Sequence, residues 1–237
     1  DAIHVEHPRA SIDVAGFEAD YEPLEILAGR ISAEGARVAE ARIELRPPSG
    51  PPQPPAFMPG WLSLVLDDVD VARLILVSPA GTETRFSEIR GSAKVSRSRI
   101  AFEGLRVRGT GWVVEDARGT LHAREPLAME VTTGWSLTGE TRVAGTARAT
   151  GDLDRLRVDA RLAVPAVARI EAELAQVSAA IRWRGTAEVE TLDLGQWLES
   201  PPVGPLAGML DFEGDLARHA VQGVIHGPGL PDAGVRV

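Results

Sequence analysis

A chain of 237 residues with a formal net charge of −9, a single lysine (Lys94) and no cysteine weighs against several function classes at once. Nucleic-acid backbones and anionic membrane surfaces are bound through clustered cations, so the charge balance argues against both. The missing cysteines rule out a disulfide framework and a thiolate metal site, and no run approaches the roughly 18–20 apolar residues that span a bilayer.

Residues 1–16 alternate apolar and polar, with Ile3 and Val5, then Ile12 and Val14 past Pro8. Alternation puts the apolar side chains on one face of a strand. Residues 21–29 break the pattern. Leu24, Leu27 and Ala28 recur at helical spacing, Pro23 suits a first helical turn and Gly29 an exit, which predicts one short helix near residues 22–29. Strands resume at Ile31, and Ala39, Ala41, Ile43 and Leu45 then alternate with Glu40, Arg42 and Glu44.

Seven prolines fall within residues 47–59. Proline fixes φ and removes a ladder donor, so this stretch reads as an extended connector between hairpins. A ligand for a proline-recognising domain is the functional alternative, and the plain loop outweighs it. The chain thus divides into N-terminal strands with a short helix (residues 1–46), a Pro-rich loop (47–60) and a repetitive hairpin region (61–237) that continues the first structure.

Beyond the loop the alternation hardly stops. Leu62, Leu64 and Leu66 line a strand that ends at an Asp67-Asp68 turn, and residues 73–77 form a short apolar strand. Strands follow over residues 86–95, 100–107, 112–123 and 127–137. In residues 100–107 the apolar set switches from Ile100 and Phe102 to Leu105 and Val107 across Gly104, which predicts a bulge. Further on, Leu156, Val158, Ala160, Leu162 and Val164 form a clean apolar register, and so do Trp183, Ala187 and Val189. Residues 167–181 fit either period: Val167, Ile170, Leu174, Val177 and Ile181 for a helix, or Ile170, Ala172 and Leu174 for a strand. Strands on both sides decide for the strand. Residues 195–200 (GQWLES), before Pro201 and Pro202, read as a short turn of helix and a stop.

One stretch appears twice. Residues 145–162 and 208–225 share six of eighteen positions: Gly145/Gly208, Gly151/Gly214, Asp152/Asp215, Leu153/Leu216, Arg155/Arg218 and Val158/Val221. Each copy is an alternating run, a Gly-Asp turn and a second alternating run, which is a β-hairpin with one apolar face. About fifteen short strands follow from the whole pattern, with 24 Gly and 17 Pro breaking the chain too often for long helices. The predicted class is all-β: a long, twisted antiparallel or mixed sheet curled into a groove, apolar inside and charged outside. At about 4.8 Å per strand, one such sheet would extend on the order of 70 Å.

Candidate chemistry is sparse. His4 and His7 stand three apart and point to opposite faces of a strand, so they do not form a metal pair. Asp67, Asp68 and Asp70 lack the glycine and closing glutamate of a calcium loop. His122, His219 and His226 have no acidic neighbour at ligand spacing, and no nucleophile elbow, phosphate loop or dinucleotide fingerprint is present. Core packing is the reading for all five tryptophans. The chain is not expected to be an enzyme, and no cofactor or metal is expected.

The hairpins LTGETRVAGTARATGDLDRLRVDARLAVP, the following AAIRWRGTAEVETLDLGQWLESPPVGPLAGMLDFEGDL and the closing VIHGPGLPDAGVRV resemble the TamB branch of the AsmA-like periplasmic proteins. The opening IHVEHPRASIDVAGF and PLEILAGRI are similar to the early periplasmic part of such chains. No signal peptide is present, and the start at Asp1 and stop at Val237 read as a piece of a longer protein. The resemblance implies a periplasmic β-groove of taco-like section, held to the inner membrane by a helix outside these residues. It implies phospholipid transport between the membranes, a role in outer-membrane protein assembly, and the barrel TamA as a partner of another part of the chain. The expected lipid-binding lining is Val158, Leu162, Trp183, Ala187, Val189, Leu210 and Phe212, whose aliphatic stripe would solvate phospholipid acyl chains. The rival reading is a structural or adhesive β-repeat stalk with a dry core. Sheet edges left open at the two ends are expected to favour self-association.

Overall fold

The computed structural model describes residues 2–7, 10–21, 25, 27–46, 58–123, 127–139, 143–176, 181–192, 195, 204–215, 217–228 and 230–236. Nearly all of them lie in fifteen strands. These are β1 (Ala2–His7), β2 (Ala10–Tyr21), β3 (Arg30–Leu45), β4 (Ser63–Val77), β5 (Glu83–Val95), β6 (Arg99–Gly109) and β7 (Trp112–His122), then β8 (Ala128–Leu137), β9 (Val143–Asp152), β10 (Arg155–Val164), β11 (Ala166–Ala175), β12 (Arg182–Leu192), β13 (Leu206–Asp215), β14 (His219–Gly227) and β15 (Leu230–Arg236). Of the expected helix, Glu25 and Leu27 are described and are helical, and the Ala28 amide donates to the Glu25 carbonyl at 2.9 Å; residues 22–24 and 26 lie outside the described ones. The strands form two compact units, Asp1–Glu125 and Pro126–Val237.

In the first unit β1 to β7 pair in chain order. All pairs are antiparallel except β3 with β4, which run parallel from Arg30↔Ser63 to Glu44↔Val77. A hairpin cannot join a parallel pair, so the chain must return along the strand. From Arg30 to Glu44 that is about 46 Å at about 3.3 Å per residue. The Pro-rich stretch is therefore the crossover, and a sequence biased toward extended backbone suits a span of that length. Its residues 47–57 lie outside the described ones. The break between units falls at Glu125 and Pro126 and not at this connector, because β3 and β4 pair along its two sides.

Asp67 and Asp68 do not form the expected turn, and residues 73–77 are not a separate strand. β4 runs unbroken through both. Asp68 takes a φ of 56°, and the register with β5 shifts between Leu66 and Val69, so the two aspartates make a bulge. Aspartate tolerates this backbone better than most residues because its short polar side chain bonds locally. The extra residue keeps Leu64 and Leu66 on the same face as Val71. Gly104 does the same in β6 as expected, with φ 60° and a register shift between Phe102 and Leu105.

In the second unit β8 to β15 pair in chain order and every pair is antiparallel. The ambiguous segment is a strand over residues 167–175, within β11; Gln176 and Ile181 are outside any strand, and residues 177–180 lie outside the described ones. Of residues 195–200 only Gly195 is described, in a 3-10 turn. The two repeat copies are the hairpins β9–β10 and β13–β14, and the aspartate of each turn accepts the same two amides. Asp152 Oδ1 accepts the amides of Asp154 and Arg155, both at 3.0 Å. Asp215 Oδ1 accepts those of Ala217 at 2.8 Å and Arg218 at 2.9 Å.

These two amides hold the Asp215 carboxyl below its ordinary range. The stabilisation is present above about pH 4, the unfolded value, and is lost as pH falls through the lower folded-state value. Asp215→Ala should lower the melting temperature at neutral pH, and Asp215→Asn, which keeps an acceptor, should lower it less. Thermal melts across acid pH should show the gap to wild type closing. A gap indifferent to pH would contradict this account of the turn.

Neither unit's run of strands closes into a barrel: β1 does not pair with β7, nor β8 with β15. Neither face is packed deeply. No large side chain of the described residues is fully buried, and six of the nine buried hydrophobic residues are alanines (Ala33, Ala36, Ala117, Ala128, Ala166, Ala168). A second layer would bury the long side chains first. Among the described residues, the strands make their contacts with the strands beside them in the sheet.

Candidate functional site

Register turns the alternation of single strands into continuous apolar rows. In the second unit Val158 pairs with Ala172, Ala172 with Gly185, Gly185 with Phe212 and Phe212 with Val221. On the other side Val158 pairs with Ala149, and Ala149 with Val131. The next row holds Ala160, Ile170, Ala187 and Leu210, and a third Leu162, Ala168, Val189 and Gly208. A fourth runs Leu156, Leu174, Trp183 and Gly214. All seven expected lining residues, Val158, Leu162, Trp183, Ala187, Val189, Leu210 and Phe212, thus share one face of four adjacent strands, and all are half-buried.

The residues between them were not nominated from the sequence. Ile170, Ala172 and Leu174 sit on β11, where strand and helix periods competed. Val131, Ala149, Val221 and Ile225 carry the same alternation and could have been read from it. Small residues set the shape of the face. The Phe212 ring lies over Gly185, with its Cζ 2.7 Å from where a Cβ would stand. A Cβ on Gly145 would meet the Arg161 carbonyl, and one on its repeat mate Gly208 the Val224 carbonyl. The repeated glycines therefore mark close backbone approach, not only turns.

The opposite face carries the charged residues, several of them paired, together with the exposed Met209 and Val224, which pair with each other across β13 and β14. Arg148 meets Glu130 at 2.6 Å, Arg169 meets Glu171 at 2.9 Å, and Glu173 accepts both Arg155 at 3.0 Å and Arg184 at 3.3 Å. Such exposed pairs contribute about 0–1 kcal/mol each. A depression of about 590 Å³ lies on this face, lined by Arg157, Glu171, Arg184, Asp211 and Glu213 among others. Arg157 there meets Glu171 at 3.5 Å and Arg184 meets Glu173 at 3.3 Å, so both of its guanidiniums already face carboxylates. The open apolar face has no such enclosure and is the stronger candidate.

The first unit carries its own rows. Ile3, Val14, Ala41, Leu74 and Phe86 pair in succession across β1 to β5. The Phe86 and Trp112 rings meet edge to face with centroids 6.0 Å apart. Trp112, Trp135 and Trp183 are half-buried, as packing predicts, but Trp61 is not: it is 70% exposed. Trp197 lies outside the described residues.

Among the described residues no three His, Cys, Asp or Glu side chains gather as a metal site. His4 instead lies between two carboxylates, Asp13 at 2.6 Å and Glu6 at 3.0 Å, which raise its pKa, Asp13 first. Among the described residues no helix is long and apolar enough to cross a membrane. Compared with models of protein families, with curated proteins and with solved structures, the chain finds no match.

Proposed function

We propose that this chain is part of a bridge-like lipid-transfer protein of the TamB and AsmA-like kind, in which the apolar face carries phospholipid acyl chains and headgroups stay in water. The observation that carries the reading is the aliphatic face of the second unit, continuous across strand after strand, with its long side chains half-buried apart from Leu156. A soluble protein rarely leaves so large an apolar surface without a use. Each CH₂ that an acyl chain buries there contributes about 0.8 kcal/mol. No polar residue is needed at a fixed point, so the repetition of plain hairpins is itself functional. The reading places the chain in the periplasm, tethered to the inner membrane through another segment and meeting an outer-membrane barrel such as TamA elsewhere. It assigns no catalysis and no cofactor. The outer edges of β1 and β15 suit continuation of the sheet by further strands, from the same protein or another copy.

The rival stalk requires a dry interior filled by its own side chains. The shallow burial of large residues within each unit favours the conduit over it. Lipid extraction and mass spectrometry of the purified protein test the choice: phospholipid should accompany the folded chain in stoichiometric amounts. Lipid-free protein that stays soluble and cannot be loaded from vesicles would overturn the proposal.

A further inference from the structure

We propose that one end of the first unit docks on an anionic bilayer surface. Three stretches converge there: residues 27–29 leading into β3, the entry to β4, and the hairpin from β5 to β6. The Ser63 amide donates to the Gly29 carbonyl at 2.9 Å, and the Trp61 carbonyl lies against Gly29. The Arg97 guanidinium folds against Gly60, its Nη1 3.1 Å from where a Cβ would stand. The Ser96 amide donates to the Arg99 carbonyl at 2.8 Å, and Lys94 pairs with Val65 across β4 and β5.

Leu27, 86% exposed, and Trp61, 70% exposed, are the two most exposed large apolar residues described in the molecule, and both belong to this end. Beside them stand four exposed cations, Arg30, Lys94, Arg97 and Arg99. Arg30 is held loosely by Glu25 at 3.7 Å. Lys94, Arg97 and Arg99 make no ion pair among the described residues. A depression of about 590 Å³, lined by Arg30, Lys94 and Arg99 together with Val65 and Ala101, sits among them. The carboxylates described at or next to this end are Glu25, which faces Arg30, the paired positions Asp20 and Glu34, and then Asp67 and Glu103 further along the strands.

Amphipathic tryptophan and aliphatic tips flanked by cations match the headgroup region of a bilayer, where the ring sits at the interface and the cations meet phosphates. The net charge of −9 sharpens the point. Overall the molecule is repelled by an anionic membrane, so a local basic end both permits contact and orients it. This inference goes beyond acyl-chain carriage and can fail without it.

Vesicle co-sedimentation of the full 237-residue chain tests it. Vesicles of phosphatidylcholine mixed with phosphatidylglycerol should bind the protein, phosphatidylcholine alone should not, and added salt should weaken the binding. Arg97→Glu with Arg99→Glu should lower affinity at least about fivefold per cation removed. Trp61→Ser should weaken binding while leaving its salt dependence intact. Arg161→Glu, at an exposed position of the second unit, should bind as wild type, and circular dichroism should show all variants folded. The inference is overturned if mixed vesicles do not bind, if Arg161→Glu weakens binding as much as the double variant, or if a single-stranded oligonucleotide binds the patch as tightly as vesicles do. Lipid mass spectrometry of the double variant separates the two proposals, since docking-dead protein should still carry acyl chains.

Discussion

Leu162→Asp and Val189→Arg are expected to leave a folded protein that no longer passes lipid. Both side chains lie on one lateral row, joined through Ala168, and both are only half-buried. A charge placed there can reach water, so the change should cost no more than the usual strand and packing penalties, about 1–2 kcal/mol. The lipid path suffers far more, because an acyl chain would have to slide past a hydrated charge. In a dry core the same substitutions would bury an unpaired charge and cost several kcal/mol, enough to unfold a typical domain. Arg161→Leu and Glu190→Leu, both at exposed positions, should leave melting temperature and lipid transfer near wild type. Measuring the two quantities together decides: inner variants that simply unfold would leave the stalk reading standing.

Gly145→Val and Gly208→Val are expected to destabilise the second unit by about 1–3 kcal/mol each, the range for forcing atoms into filled space. Strand propensity alone predicts the reverse sign, since valine is favoured in strands and glycine is not. The difference is backbone contact. The space for a Cβ at each position is taken by a carbonyl of the neighbouring strand, Arg161 for one and Val224 for the other. Backbone atoms of a paired strand cannot swing aside as a flexible side chain can. Thermal melts of the two single variants would expose an error here: a rise in midpoint for either would show that the strands have room, and that the repeat keeps these glycines for another reason.

How much could be read beforehand depended on whether one residue determined its own environment. The bulge at Gly104 was legible because the apolar phase switches across a glycine. The same device at Asp67 and Asp68 was not, because two aspartates after an apolar run imitate a turn. Only pairing with β5 through the bulge shows that the strand continues. The parallel pairing of β3 with β4 left no local mark beyond the long Pro-rich connector that spans it. At the candidate site the seven nominated residues came from two clean strands and one repeat copy, and register brought them together. β11 between them was obscured because its apolar residues satisfy periods of 2 and 3.6 alike. Trp61 was misassigned for a simpler reason: composition favours packing for any tryptophan, and exposure at a chain crossing is set by the fold alone.

The central claim is that one face of the second unit holds acyl chains and the other faces water. Val158 and Asp159 are consecutive residues of β10 and point to opposite faces. A photo-crosslinking side chain placed at each position in turn, in protein loaded with phospholipid, reads the claim directly. Mass spectrometry after illumination should find a phospholipid adduct at position 158 and none at 159. Adducts at both positions, or at neither in protein shown to carry lipid, would contradict it.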